Sequence, residues 1–110
     1  MTAPLYAGVE AGGTKFVCGA GRGPQEIMRT HRIPTTTPDQ TLRATIAFLK
    51  ACEAELGPIA GLGVASFGPL DLDPASPSYG ALTTTPKPGW AGFGLRAALA
   101  EAMGCPVAID

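Results

Sequence analysis

The sequence predicts an α/β fold in the order β-β-β-α-β-α-β. Three observations point there. Two short apolar runs, Leu5 to Val9 and Phe16 to Ala20, flank a glycine turn and carry β-branched and aromatic residues, as buried strands do. One long stretch, from Thr37 to Leu56, repeats its apolar residues at three- and four-residue steps. Beyond it, strand-like and helix-like segments alternate, which is the pattern of helical crossovers between parallel strands.

The first strand runs over Leu5–Glu10 and the second over Lys15–Gly21. Between them lies Gly8-Val9-Glu10-Ala11-Gly12-Gly13-Thr14-Lys15, with one acid, adjacent glycines, a hydroxyl and a lysine. Glycines let backbone N–H groups approach an anion closely, and a lysine adds positive charge. The spacing of Gly8 and Gly13 resembles a Walker loop, but Thr14-Lys15 reverses the order of that motif, and a strand follows where a helix is required. The Walker reading is therefore rejected. The residues alone leave two readings open, a phosphate-holding turn between strands and an ordinary glycine-rich hairpin. Gly19-x-Gly21 is a fragment of a dinucleotide fingerprint, but no helix can start at Gly23-Pro24.

Gly21-Arg22-Gly23-Pro24 reads as a second turn. The third strand spans about Glu26 to Ile33, with Ile27, Arg29, His31 and Ile33 on one face and Met28, Thr30 and Arg32 on the other. That mixture suits an edge or half-exposed strand. His31 is the only histidine; it has no acid or second ligand near it in sequence and is read as a surface residue.

The first helix has Thr37 as N-cap, Pro38 at its first position and Gln40 completing a capping box. Leu42, Ile46, Leu49, Cys52 and Leu56 form its apolar face, Arg43 and Lys50 its polar one, and Gly57-Pro58 ends it. A strand from Ile59 to Ala65 leads into Ser66-Phe67-Gly68-Pro69-Leu70-Asp71. Asp71 to Trp90 is a long, proline-rich loop, and loops of that length are often functional. Asp71 and Asp73 could bind a metal, but capping of a turn before Pro74 is the commoner use of such a pair. Thr83 to Thr85 fit hydrogen bonding to a ligand or an extended segment equally. Trp90 is open to two uses, stacking on a ligand or anchoring packing. A second helix, roughly Phe93 to Met103, presents Leu95, Ala98, Leu99, Ala102 and Met103. It ends at Gly104, and a last strand covers Pro106 to Asp110. A chain stopping as a core strand ends reads as a piece of something longer.

Composition narrows the classes. The 110 residues suffice for one domain or lobe, and the 45% hydrophobic and 15% charged fractions fit a globular chain with a core. The net charge of −1 comes without a basic patch, which argues against nucleic acid as a partner. No apolar run is long enough to span a bilayer. Met1-Thr2-Ala3-Pro4 lacks the features of a signal peptide, so a cytoplasmic location is expected. Cys18, Cys52 and Cys105 are far apart and in apolar surroundings, which predicts buried, reduced thiols.

Four stretches together resemble the ROK family of sugar kinases, within it the bacterial fructokinases: Gly8 to Cys18, Gly63 to Asp71, Tyr79 to Trp90 (YGALTTTPKPGW) and Pro106 to Asp110. The resemblance spans all 110 residues but only the first lobe of the family. It implies the N-terminal lobe of a ribonuclease H-like, actin-like ATPase fold, with the second lobe absent. It implies that Gly12, Gly13, Thr14 and Lys15 hold the phosphates of ATP. Glu10 stands where most of the superfamily has an aspartate that organises Mg2+; its extra methylene makes contact through a water as good an account as direct contact. Ser66, Gly68, Pro69, Lys87 and Trp90 fall on the sugar-side loops, and Lys87 replaces the asparagine of many ROK glucokinases, as in the fructokinase subgroup. Asp110 resembles the first acid of an Asp-x-Asp-x-Asn run, which puts the catalytic base just after it, so no catalytic residue lies within the chain. The family's zinc cluster belongs to the second lobe.

The implied activity is phosphorylation of a hexose, fructose first, by ATP in a parent protein that is a homodimer, with the isolated lobe inactive. The alternatives are a non-enzymatic ROK-type sugar sensor or regulatory fragment, and an actin-like assembly module. ROK repressors usually carry an N-terminal helix-turn-helix, for which a first strand starting near Pro4 leaves no room.

Overall fold

The computed structural model describes residues 3–110; Met1 and Thr2, part of the stretch read above for a signal peptide, lie outside the described residues. The elements follow the expected order: β1 (Leu5–Ala11), β2 (Lys15–Gly23), β3 (Glu26–Pro34), α1 (Pro38–Leu56), β4 (Ile59–Ser66), α2 (Leu95–Met103) and β5 (Val107–Ile109). The five strands form one sheet in the order β3-β2-β1-β4-β5. β1, β2 and β3 pair antiparallel as a meander, while β4 lies parallel to β1 and β5 parallel to β4. The fold is the ribonuclease H-like, actin-like α/β arrangement expected.

Alternation along the strands decides which face is buried. Leu5, Ala7, Val9 and Ala11 of β1 point inward with Phe16, Cys18 and Ala20 of β2, Leu62 and Val64 of β4, and Val107 and Ile109 of β5. They join Leu42, Leu49 and Cys52 of α1 and Leu95, Leu99 and Met103 of α2 in one core. Both helices therefore cover the same face. β3 is the half-exposed edge strand predicted, with Ile33 buried and Ile27, Arg29 and His31 exposed. His31 is at the surface as expected, stacked on Phe48 of α1 at 5.5 Å between centroids.

Four local expectations need correction. The second strand runs on to Gly23, because the register shifts around Gly21, where a side chain would meet the Glu26 carbonyl at 2.3 Å. The second helix starts at Leu95 rather than Phe93, capped only by the backbone of Gly94. The buried stripe of α1 is rotated from the one read off its large apolar residues: Thr41 and Thr45 are buried, while Ile46 and Leu56 lie at the margin. The hydroxyls are satisfied locally, since Thr45 Oγ1 donates to the Thr41 carbonyl at 2.8 Å and Thr41 Oγ1 accepts from Thr36 N–H at 2.9 Å. At the N-terminus of α1, Thr37 Oγ1 accepts from Gln40 N–H at 3.2 Å. Among the described residues the reciprocal bond from Thr37 N–H to the Gln40 side chain is not formed, so only half of the expected capping box is present. Gly57 ends the helix with φ 106° and its N–H on the Glu53 carbonyl at 3.0 Å.

Candidate functional site

The carboxyl ends of the parallel strands β1, β4 and β5 open onto one edge of the sheet, where open α/β sheets place their ligands. The turn Gly12-Gly13-Thr14 leaves β1 at this edge, and the Ser66–Leu70 segment leaves β4 beside it. The two are tied by a bond from Phe67 N–H to the Ala11 carbonyl at 2.7 Å. β5 brings Asp110 to the same level, with Ser66 N–H donating to the Asp110 carbonyl at 2.9 Å.

The turn is closed by Gly12 N–H on the Lys15 carbonyl at 2.9 Å. A side chain at Gly12 would meet that carbonyl oxygen at 2.8 Å, so the hairpin itself requires glycine there. Gly13 differs. A Cβ on Gly13 meets nothing within 4 Å, and its φ is not in the left-handed region. Among the described residues, the N–H groups of Gly13 and Thr14 have no acceptor, and Lys15, exposed, has no acidic partner. The turn thus presents free donors and a free cation at one place, as an anion-binding concavity does.

Thr35, buried, is a part of this turn that the sequence reading missed. Its hydroxyl donates to the Gly12 carbonyl at 2.7 Å, and its N–H donates to the Thr14 carbonyl at 2.9 Å. These two bonds pin the hairpin from both shoulders. The only signal in the sequence was the Thr35-Thr36-Thr37 run, of which Thr37 alone had been given a role.

Glu10 and Asp110 project from the uncovered face, one strand on either side of Ala65. Two strand spacings put them about 10 Å apart. Among the described residues no group of three or more His, Cys, Asp and Glu gathers. Mg2+ does not need one, because it keeps several waters and takes one or two carboxylates together with substrate phosphates. An exposed Glu10 beside the turn fits that manner of binding.

The sugar-side candidates divide. Gly68 and Pro69 are exposed, and the Gly68–Pro69 peptide is cis. The Pro69 carbonyl accepts from Thr83 N–H at 2.9 Å and Thr83 Oγ1 at 3.2 Å, and Leu70 bridges to Leu82, so the loop after β4 is held against the far end of the long loop. Ser66 is half-buried and its hydroxyl donates to the Phe67 carbonyl at 2.8 Å. Lys87 is half-buried, its N–H on Thr85 Oγ1 at 3.3 Å. Trp90 must be withdrawn from the sugar face. It is 0% exposed, packed against Phe16, Phe67 and Phe93, with Nε1 donating to the Thr36 carbonyl at 2.8 Å. No face of the indole is left for a ligand. Of the two readings, the packing anchor is the one observed.

Asp71 and Asp73 act as turn caps. Asp71 accepts from Ser76 Oγ and Ser78 Oγ, both at 2.6 Å, and from Asp73 N–H at 3.0 Å; Asp73 accepts from Ala75 N–H at 3.0 Å. The Ser76 and Ser78 hydroxyls and the Asp73 N–H hold the Asp71 carboxyl below its ordinary range. A folded-state pKa below the unfolded one adds stability that is present above the ordinary carboxylate range and is lost as pH falls through the folded value. We expect Asp71→Asn to destabilise the chain at pH 7 and the gap to the parent to close in acid; urea unfolding at several pH values measures this, and a gap independent of pH would remove Asp71 from the account. Cys18 and Cys52 are buried and Cys105 half-buried, all unpaired as expected. Burial pushes the Cys18 thiol up to about 11 and raises the other two, so none is a ready nucleophile at neutral pH.

Comparison with known proteins bears on this site. The sequence profile of the ROK family matches residues 6–110. A fructokinase of Streptococcus mutans serotype c is 49% identical over 87 residues, which is 79% of this chain and 29% of that protein. A fructokinase of Zymomonas mobilis subsp. mobilis is 42% identical over 107 residues, 96% of this chain and 36% of that protein. The chain thus spans about a third of the length of these relatives. Among solved structures, a ROK family glucokinase from Streptomyces griseus in complex with glucose and AMPPNP superposes with a TM-score of 0.75 at 22% identity, over 96% of this chain and 32% of that one. That likeness bears on the fold. No helix among the described residues is long and apolar enough to cross a membrane.

Proposed function

The chain belongs to the ROK family, and from that membership we propose that it is the N-terminal lobe, residues 1–110, of a sugar kinase that transfers phosphate from ATP to a hexose, fructose before others. The observation that carries the reading is the joining of two loops at one sheet edge. The turn with free donors, Gly13, Thr14 and Lys15, is bonded through Ala11 to the segment that begins at Ser66. A phosphate donor and an acceptor alcohol need such neighbouring seats, because phosphoryl transfer depends on positioning and charge stabilisation. The names of the fructokinase relatives support fructose, and the ATP analogue in the Streptomyces griseus neighbour supports the nucleotide.

In this reading the Gly13 and Thr14 N–H groups and Lys15 hold phosphate oxygens, and Thr35 fixes the turn that presents them. Gly12 keeps the hairpin tight. Gly68, Pro69 and Lys87 border the sugar, with Ser66 positioning the loop. Glu10 is the residue that would hold Mg2+, which neutralises phosphate charge when bound. The general base lies beyond Asp110, so this chain alone does not turn over. A fusion in which these residues replace the matched third of the Zymomonas mobilis fructokinase tests the proposal. We expect it to phosphorylate fructose in preference to glucose, Lys15→Ala to lower kcat/KM for ATP by about 10²-fold, and the 110-residue chain to be inactive. Turnover by the short chain, or a fully active Lys15→Ala fusion, would refute it.

A further inference from the structure

Arg96 is the second residue of α2, and the helix itself gives no reason for it. A cation in the first turn opposes the helix dipole, and among the described residues no carboxylate pairs with Arg96. Its contacts lie elsewhere. Nε donates to the Val107 carbonyl of β5 at 2.9 Å, and the guanidinium carbon lies over the Tyr79 ring, 4.9 Å from its centre. The Arg96 N–H donates to the Gly80 carbonyl at 3.2 Å. Gly80 has φ 81°, and a Cβ there would meet the Arg96 Cβ at 2.4 Å and Cδ at 2.8 Å. The long loop thus lays bare backbone on the arginine stem.

What the guanidinium holds is the outer side of β5. That strand has three residues and lies at one end of the sheet. The Pro106 carbonyl accepts from Leu62 N–H, the Asp110 carbonyl accepts from Ser66 N–H, and Asp110 N–H donates to the Val64 carbonyl, so these residues turn their backbone groups toward β4. Alternation points the Val107 carbonyl to the free edge, where Arg96 supplies its donor. Asp110 follows three residues on, about 10 Å along the strand.

The other end of the clamp reaches the loop after β4. Gly80 N–H donates to the Asp71 carbonyl at 2.7 Å, Asp71 N–H to the Ala81 carbonyl at 2.9 Å, and Thr83 N–H to the Pro69 carbonyl at 2.9 Å. We propose that Arg96 is a positioning residue for phosphoryl transfer: it sets the spacing between the Gly68–Pro69 segment, which borders the acceptor sugar, and the end of β5, which delivers the general base. The proposal rests on the kinase reading above. A base acts only within hydrogen-bond reach of the attacking hydroxyl, so a strand free to shift at Val107 loses turnover while the turn between β1 and β2 is untouched. Lysine does not replace the arginine, because an ammonium has neither the planar face that lies on Tyr79 nor the Nε–H that reaches Val107.

Arg96→Ala and Arg96→Lys in the fusion described above test this. Both should lower kcat by about 10-fold or more, with KM for ATP within about twofold of the parent fusion. Ethylguanidinium, which matches the missing part of the side chain, should restore kcat to Arg96→Ala, and ethylammonium should not. An arginine that only stabilises the fold would lower the melting temperature, leave kcat unchanged below it and give no response to either cation, and that result overturns the proposal. Hydrogen exchange in the 110-residue chain reads the clamp without the chemistry. In Arg96→Ala the N–H groups of Leu62 and Ser66, which bond to β5, should lose protection while those between β1 and β2 keep it. Unchanged protection at Leu62 and Ser66 also overturns the proposal. A parent fusion without turnover refutes the kinase reading and this role with it, whereas an active parent with undiminished Arg96 variants refutes this role alone.

Discussion

Trp90→Ala should cost the chain about 3–5 kcal/mol, the range for deleting a buried aromatic side chain. For a domain with about 5–15 kcal/mol of total stability, that is about a fifth or more of the whole. The size of the effect follows from what the indole joins. Its ring packs on Phe16 at the start of β2, Phe67 after β4 and Phe93 before α2, at centroid distances of 5.7, 5.6 and 5.4 Å. Its Nε1 donates to the Thr36 carbonyl, next to the threonine that pins the Gly12–Thr14 turn. Trp90→Phe would keep much of the packing and leave that carbonyl without its donor, a loss of about 1–2 kcal/mol. Urea unfolding should show lower midpoints with unchanged slopes. In the kinase fusion, a sugar-stacking Trp90 would instead raise KM for the sugar while leaving stability nearly untouched, and that outcome would restore the discarded role.

The residues that could be read in advance are those whose chemistry is local. Thr37-Pro38 and Gly57 announce the ends of α1 because capping involves groups a few residues apart. The mixed alternation of β3 announces a half-exposed edge strand. What escaped depended on distant partners. Thr41 and Thr45 look polar in sequence and are buried because Thr36 N–H and the Thr41 carbonyl satisfy them. Trp90 reads as a loop aromatic until Phe16, Phe67 and Phe93 are brought around it. Thr35 gains its role only when β3 returns along β2 and sets it against Gly12 and Thr14. The glycine turn itself was legible because adjacent glycines between two apolar runs mark a hairpin locally. Its support was not, because side-chain-to-backbone bonds over 23 residues leave no pattern in the sequence.

Adjacent glycines in the turn between β1 and β2 should fail in different ways. Gly12→Ala puts a methyl 2.8 Å from the Lys15 carbonyl oxygen, against backbone that closes the hairpin through Gly12 N–H. The hairpin must open, and the bonds from Thr35 to Gly12 and Thr14 are strained with it. Both the stability of the 110-residue chain and ATP use by the fusion should fall. Gly13→Ala places its methyl in open space, with no contact inside 4 Å. The short chain should melt as the parent does, within about 0.5 kcal/mol. If the Gly13 N–H lies against a phosphate, however, the added methyl occupies the approach, and kcat/KM for ATP in the fusion should drop by about 10²-fold, as a displacement of roughly 1 Å costs. KM for the sugar should change little. Thermal unfolding of the short chain and steady-state kinetics of the fusion separate the two substitutions. A Gly13→Ala fusion with unaltered ATP kinetics would mean that the turn is an ordinary hairpin and that the phosphates bind elsewhere. A stable short chain, wild-type sugar KM and impaired ATP use would place the nucleotide at Gly13 by a defect that folding cannot explain.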